Sequence, residues 1–229
     1  MARKSPAILK SHRRDFKGWT AVGMDAAVTS VSFTAMSWDV TLRKMSDVAY
    51  GEVRWMPEDD WWTRMEQAAK LAPRVLKDIL LQTWGMDYSR VAIAVEEPFP
   101  MGMVSRGKFQ SEWLKQQCEI AGAAKGGLLA AGFRQLHEIN NAMWKKTLRN
   151  EGVTIAKMPE GKFDVKAWAI AALGLPDLPD LVASREGAKI PRPESGYGAR
   201  AKAIQPNDIY DAAACMAWMQ DEIQSGKVW

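Results

Sequence analysis

The run VAIAV, Val91–Val95, constrains this chain more than any other stretch. Five apolar residues without alternation leave neither side of a strand for water, so both faces need a cover. The run is too short for a buried helix, and it stops at Glu96, Glu97 and Pro98, the last of which cannot donate to a sheet ladder. Helical periodicity stands on either side. Upstream, PEDDWWTRMEQAAKLAPRVLKDILLQTWG puts Trp61, Met65, Ala68, Ala72, Val75 and Ile79 on one face, with a kink expected at Pro73. Downstream, KFQSEWLKQQCEIAGAAK reads as a second helix. A doubly covered strand between such helices requires a layered α/β fold.

The remaining segments extend that layer. TAVGMDAAVTSVSFTAMSW and SDVAYGEVRW alternate and are rich in Val, Thr and aromatic residues, which predicts three strands in succession before the first helix. FRQLHEI supplies a fifth strand, NNAMWKKTLRNEG a turn and short helix, and FDVKAWAIAALG another helix. Five prolines and scattered glycines between about 175 and 206 predict a long loop, and IQPNDIYDAAACMAWM closes the chain as a helix. The expected architecture is a mixed five-stranded sheet with helices on both faces. A basic arm over 1–19 precedes one domain over 20–229.

Composition removes several function classes. No apolar run approaches a membrane span, and the basic start has no signal-like apolar core, so the expected setting is cytoplasmic. Two cysteines and two histidines exclude a zinc site of ordinary spacing. GAAKGGLLAAG places its lysine before the glycines, with no Ser or Thr following, so no nucleotide cofactor is expected. A net charge of +4 permits an anionic partner. The basic residues gather in the arm, at Lys145 and Lys146, and in the late loop.

Four carboxylates stand out against that background. Asp25 ends the first strand, Glu96 ends the fourth, and Asp208 and Asp211 lie three apart on one face of the last helix. Acids in a first turn are common, and Asn207 or Asp208 fits as a cap. Asp211 fits that account less well, because the AAACMAWM that follows is apolar on all sides and calls for burial. Function gathers at the strand ends of open α/β sheets. Converging carboxylates repel one another unless they take up protons or bind hard divalent cations, here Mg²⁺ with Mn²⁺ as a substitute. Two such ions can activate water and stabilise a leaving oxygen, the chemistry of phosphodiester hydrolysis. Glu97 competes with Glu96, since adjacent strand residues face opposite ways. His137, in QLHEI, reads as a packed strand residue.

This set and its order resemble the ribonuclease-H-like nucleases, and among them the RuvC-type Holliday junction resolvases. In VEEPF, Phe99 follows Glu96 at the family's spacing; NNAMWKKTLRNEG resembles its basic stretch; QPNDIYDAAACMAWM resembles its C-terminal signature. The likeness runs from about Ala21 to Trp218, although GMDAAV stands where the family has Gly-Ile-Asp-Pro-Gly, and the arm and late loop exceed compact members. The resemblance implies a metal-dependent endonuclease that resolves four-way DNA junctions by symmetric cuts. Asp25, Glu96, Asp208 and Asp211 are then the catalytic metal ligands for two Mg²⁺ ions, and Phe99, Arg106, Lys108, Lys145 and Lys146 contact DNA. It also implies a homodimer formed through the helix around Lys108 to Lys125. A nuclease acting on RNA/DNA hybrids or flaps and a non-catalytic junction-binding protein are the alternatives.

Overall fold

The computed structural model describes residues 18–56, 58–83, 87–98, 111–155, 160–183, 189–191 and 204–228. Two ten-residue strands, β1 (Gly18–Ala27) and β2 (Ser30–Asp39), form an antiparallel hairpin in full register from Gly18↔Asp39 to Ala27↔Ser30. β3 (Lys44–Met45) and β4 (Ala49–Arg54) both pair with the outer edge of β2. β5 (Val91–Glu96) lies parallel to β1, and β6 (Gln135–Ile139) parallel to β5. The result is the expected mixed sheet, with six strands in place of five. The additional strand is β3, two residues that lie just before SDVAYGEVRW, the segment that supplies β4. Ser46 Oγ accepts the Ser37 N–H at 2.9 Å, which breaks the ladder between β3 and β4.

Strand parity divides the core. Val22, Met24, Val31, Phe33, Ile93 and Val95 face α1 (Trp61–Gln82) and α2 (Ser111–Ala130). Ala21, Ala92 and Ala94 face α3 (Asn141–Asn150), α4 (Glu160–Leu173) and α5 (Ile209–Gln224). VAIAV is thus covered on both sides, as its composition demanded.

The first face is closed by apolar packing. Ala68, Ala72, Leu76, Ile79 and Leu80 of α1 are buried, each Leu or Ile contributing about 1.5–3 kcal/mol of transfer free energy. Pro73, where a kink is expected, lies inside α1, which runs from Trp61 to Gln82. Proline removes the amide that would bond the Ala69 carbonyl. That same carbonyl meets Gly127 of α2, where any Cβ would collide with it. The helices therefore pack closely at the group that Pro73 leaves without its helical partner.

On the second face, Gly23 lets α5 settle directly onto β1, because a Cβ there would overlap the Ala212 carbonyl and crowd the Met216 amide. The segment expected to be loop contains three short strands, β7 (Leu181–Ala183), β8 (Lys189–Pro191) and β9 (Ile204–Gln205), in a separate sheet. Strands of two or three residues carry no readable alternation, and the surrounding prolines and glycines mask them. Tyr210 ties the approach to this sheet onto α5. Its hydroxyl accepts the Leu178 N–H at 2.7 Å and donates to the Pro176 carbonyl at 2.9 Å.

Candidate metal centre

Asp25 and Glu96 are placed by the pleat. The β1–β5 register pairs Gly23 with Ala94 and Met24 with Val95, so the next rung sets Asp25 beside Glu96 on the α5 face. Glu97 belongs to the opposite parity, and its N–H bonds the Ile139 carbonyl at 2.7 Å. Asp208 and Asp211 arrive from α5, whose first turn is fastened to β2. Ser30 Oγ donates to Asp208 Oδ2 at 3.1 Å, and Thr34 Oγ1 donates to the Ile209 carbonyl at the same distance.

Helix capping does not explain Asp208. Its backbone is helical and its side chain makes no cap hydrogen bond, whereas Asn207 Oδ1 accepts the Ile209 N–H at 3.1 Å. One carboxylate oxygen from each of Asp25, Asp208 and Asp211 lies within 4.8 Å of the others. Asp208 and Asp211 are buried, while Asp25 keeps an accessible edge. Glu96 borders this trio.

The electrostatics follow from that crowding. Burial, reinforced by the charges of Glu96, Asp208 and Asp211, raises the Asp25 carboxyl well above the usual range. Burial and the Asp211 charge push Glu96 up to about 7, opposed by Trp144, Lys162 and Lys145. The Trp144 indole nitrogen is buried beside this carboxylate, short of hydrogen-bond geometry with any partner among the described residues. Cys215, one turn beyond Asp211, has its thiol raised by burial and by the same acids, which keeps it neutral and leaves the donor set all oxygen.

Lys162 of α4 completes the cluster, and sequence reasoning missed it. Its Nζ donates to Asp211 Oδ2 at 2.9 Å, and Asp211, followed by Asp208 and Asp25, raises its pKa against the opposing effect of burial. A signal was present in the sequence: Lys162 and Lys166 sit four apart, on one side of a helix that is apolar from Ala167 to Leu173, so their ammonium groups call for partners nearby. Lys166 finds Asp177 at 2.7 Å and Asp180 at 2.8 Å.

The other expected residues separate. Lys145 lies over the Trp144 ring, 5.1 Å from its centroid, and acts on Glu96; Lys146 is exposed on α3. His137 shares the sheet face of Ala94, with its Nε2 buried and without a hydrogen-bond partner among the described residues. Phe99, Arg106 and Lys108 lie outside the described residues.

Among solved structures, the chain is similar to T. thermophilus RuvC in complex with Holliday junction substrate, with a TM-score of 0.55 across 91% of this chain and 97% of that one. The fold is ribonuclease-H-like. At 16% identity the likeness extends to the fold and no further. No family model matches the sequence. No curated protein matches it either. Among the described residues, no helix is long and apolar enough to cross a membrane.

Proposed function

We propose that this protein is a divalent-metal-dependent endonuclease that cuts branched DNA and resolves four-way junctions as a homodimer. The observation that carries this reading is the meeting of Asp25, Asp208 and Asp211 within 4.8 Å, at the end of the central strands, with Lys162 already drawn in as a cation. Hard oxygen donors fit Mg²⁺ or Mn²⁺, and the ammonium among them shows that the cluster holds positive charge. In this reading Asp25, Asp208 and Asp211 hold the metal, with Glu96 completing a two-ion site. Bound there, such ions supply the activation of water and the neutralisation of the leaving oxygen.

The chain's own residues do the rest. The Ser30 and Thr34 hydroxyls fix the start of α5, so Asp208 and Asp211 are oriented before a substrate arrives. Lys162 and Lys145 flank the carboxylates from α4 and α3, and there they neutralise the scissile phosphate and hold it against the acids. Products are a 5′-phosphate and a 3′-hydroxyl.

Branched DNA as substrate is supported by the fold likeness to a structure bound to a Holliday junction. A homodimer follows from the need for two symmetric cuts. Cys118, Gly122 and Gly126 line the exposed side of α2, and among the described residues nothing lies within 4 Å of a Cβ built at either glycine, which supports that face as the place for a second helix. Cleavage of a four-way junction beside linear duplex and RNA/DNA hybrid tests the reading. Paired symmetric nicks in the junction, dependent on Mg²⁺, are expected. Preferential cutting of the hybrid would overturn the choice of substrate.

A further inference from the structure

Three hydroxyls stand in a row on the α5 side of β2, at Ser30, Ser32 and Thr34, and all three are fully buried. The outer two are used: Ser30 donates to Asp208 Oδ2 and Thr34 to the Ile209 carbonyl. Ser32 lies between them, and its Oγ has no hydrogen-bond partner among the described residues. A buried hydroxyl left unmade is destabilising, and alanine, of nearly the same shape, would avoid that loss. Such a group calls for a reason.

The ladder supplies one. Ser32 is the cross-strand partner of Asp25 on one side and of Glu52 on the other, so Asp25, Ser32 and Glu52 form one row on one face. Both oxygens of Glu52 are taken by Arg54, whose Nη2 donates to Oε2 at 2.8 Å and whose Nε donates to Oε1 at 3.3 Å. Asp25 differs. Asp208 takes the Ser30 hydroxyl and Asp211 the Lys162 ammonium, whereas no described residue donates to the Asp25 carboxylate. Of the three converging aspartates, the one without a donor therefore stands directly opposite the hydroxyl without an acceptor. Directly opposed residues have Cβ atoms about 4.5–5.5 Å apart, a span that rotation of the two side chains closes.

We infer that Ser32 is a positioning residue for Asp25: its hydroxyl closes onto one Asp25 oxygen and so fixes the other toward a bound divalent cation. The inference rests on the metal-centre reading. A carboxylate that ligates a metal is itself held by a hydrogen bond from the surrounding shell, and Ser30 already gives Asp208 such a bond. Trp144 repeats the pattern at the other strand-end acid, where its indole nitrogen sits beside Glu96 without closing on it. The two acids carried by the sheet thus each face a donor held in reserve, while Asp208 and Asp211 are already fastened.

Removing the hydroxyl separates this role from a structural one. Ser32→Ala and the wild type are titrated with Mn²⁺ by calorimetry, and their metal-free melting temperatures are compared. The variant is expected to melt no lower than the wild type without metal, because the atom it loses has no partner there, and to bind Mn²⁺ about 10-fold or more weakly. The Mn²⁺ concentration giving half-maximal junction cutting should rise by the same factor, with junction affinity in chelator unchanged. Unchanged Mn²⁺ affinity in the variant overturns the role of Ser32 and leaves the metal centre standing. So does a lower metal-free melting temperature, which marks a hydroxyl that the fold itself uses. A wild type that takes up no Mn²⁺ overturns the metal centre itself, and the hydrogen bond with it.

Discussion

The two faces of the central sheet are docked by the same device and put to opposite uses. On one face Gly127 lets α2 approach the Ala69 carbonyl of α1; on the other Gly23 lets α5 approach β1 at the Ala212 carbonyl. The first face is sealed with Val, Ile, Leu and Phe, and burial there is pure gain. The second uses alanines, which bring α5 close enough to carry Asp208 and Asp211 into an apolar layer beside Asp25 and Glu96. Desolvation and mutual repulsion make that face electrostatically costly without a cation. One face stabilises the fold, and the other spends part of that stability on a charged site.

That contrast breaks most sharply at the two glycines. Gly23→Ala and Gly127→Ala both force backbone apart, and each should cost about 3 kcal/mol or more by chemical denaturation. Only Gly23→Ala displaces the helix that bears the acids, so it alone should also abolish Mn²⁺ binding in whatever fraction remains folded. Equal loss of metal binding in both variants would erase the distinction between the faces.

A smaller effect sharpens the electrostatic half. In metal-free protein the folded Glu96 carboxyl titrates at about 7, against about 4.3 for an unfolded glutamate. The folded state therefore binds the extra proton between those values, and the contribution is complete below the lower one and lost as pH rises through the upper one. Asp25 is shifted in the same direction. Without divalent cations the melting temperature should fall by several degrees from about pH 5 to about pH 8. Asp25→Asn should flatten that decline and raise stability at the alkaline end. A melting temperature that rises across this interval would contradict the assigned strain.

Much of this division was legible beforehand. VAIAV announced a strand covered on both sides, and the all-round apolar AAACMAWM made Asp211 a buried acid in need of a partner. Period-two reasoning narrowed the strand-end ligand to Glu96 or Glu97, but only the register with β1 says which of them shares a face with Asp25. Lys162 escaped because its helix is not neighbour to the acids in sequence. The small sheet escaped because strands this short have no period.

The account turns on the carboxylate face being a metal centre for phosphodiester cleavage. Single-turnover cutting of a four-way junction in Mg²⁺ by the wild type and Asp211→Asn, with binding measured on the same samples, tests this most directly. Retained binding with cutting slowed by more than about 100-fold in the variant is the expected result, since even the loss of an outer-shell partner costs 10–100-fold at metal sites. Equal cutting by the two proteins, or metal-independent cutting by the wild type, would contradict it.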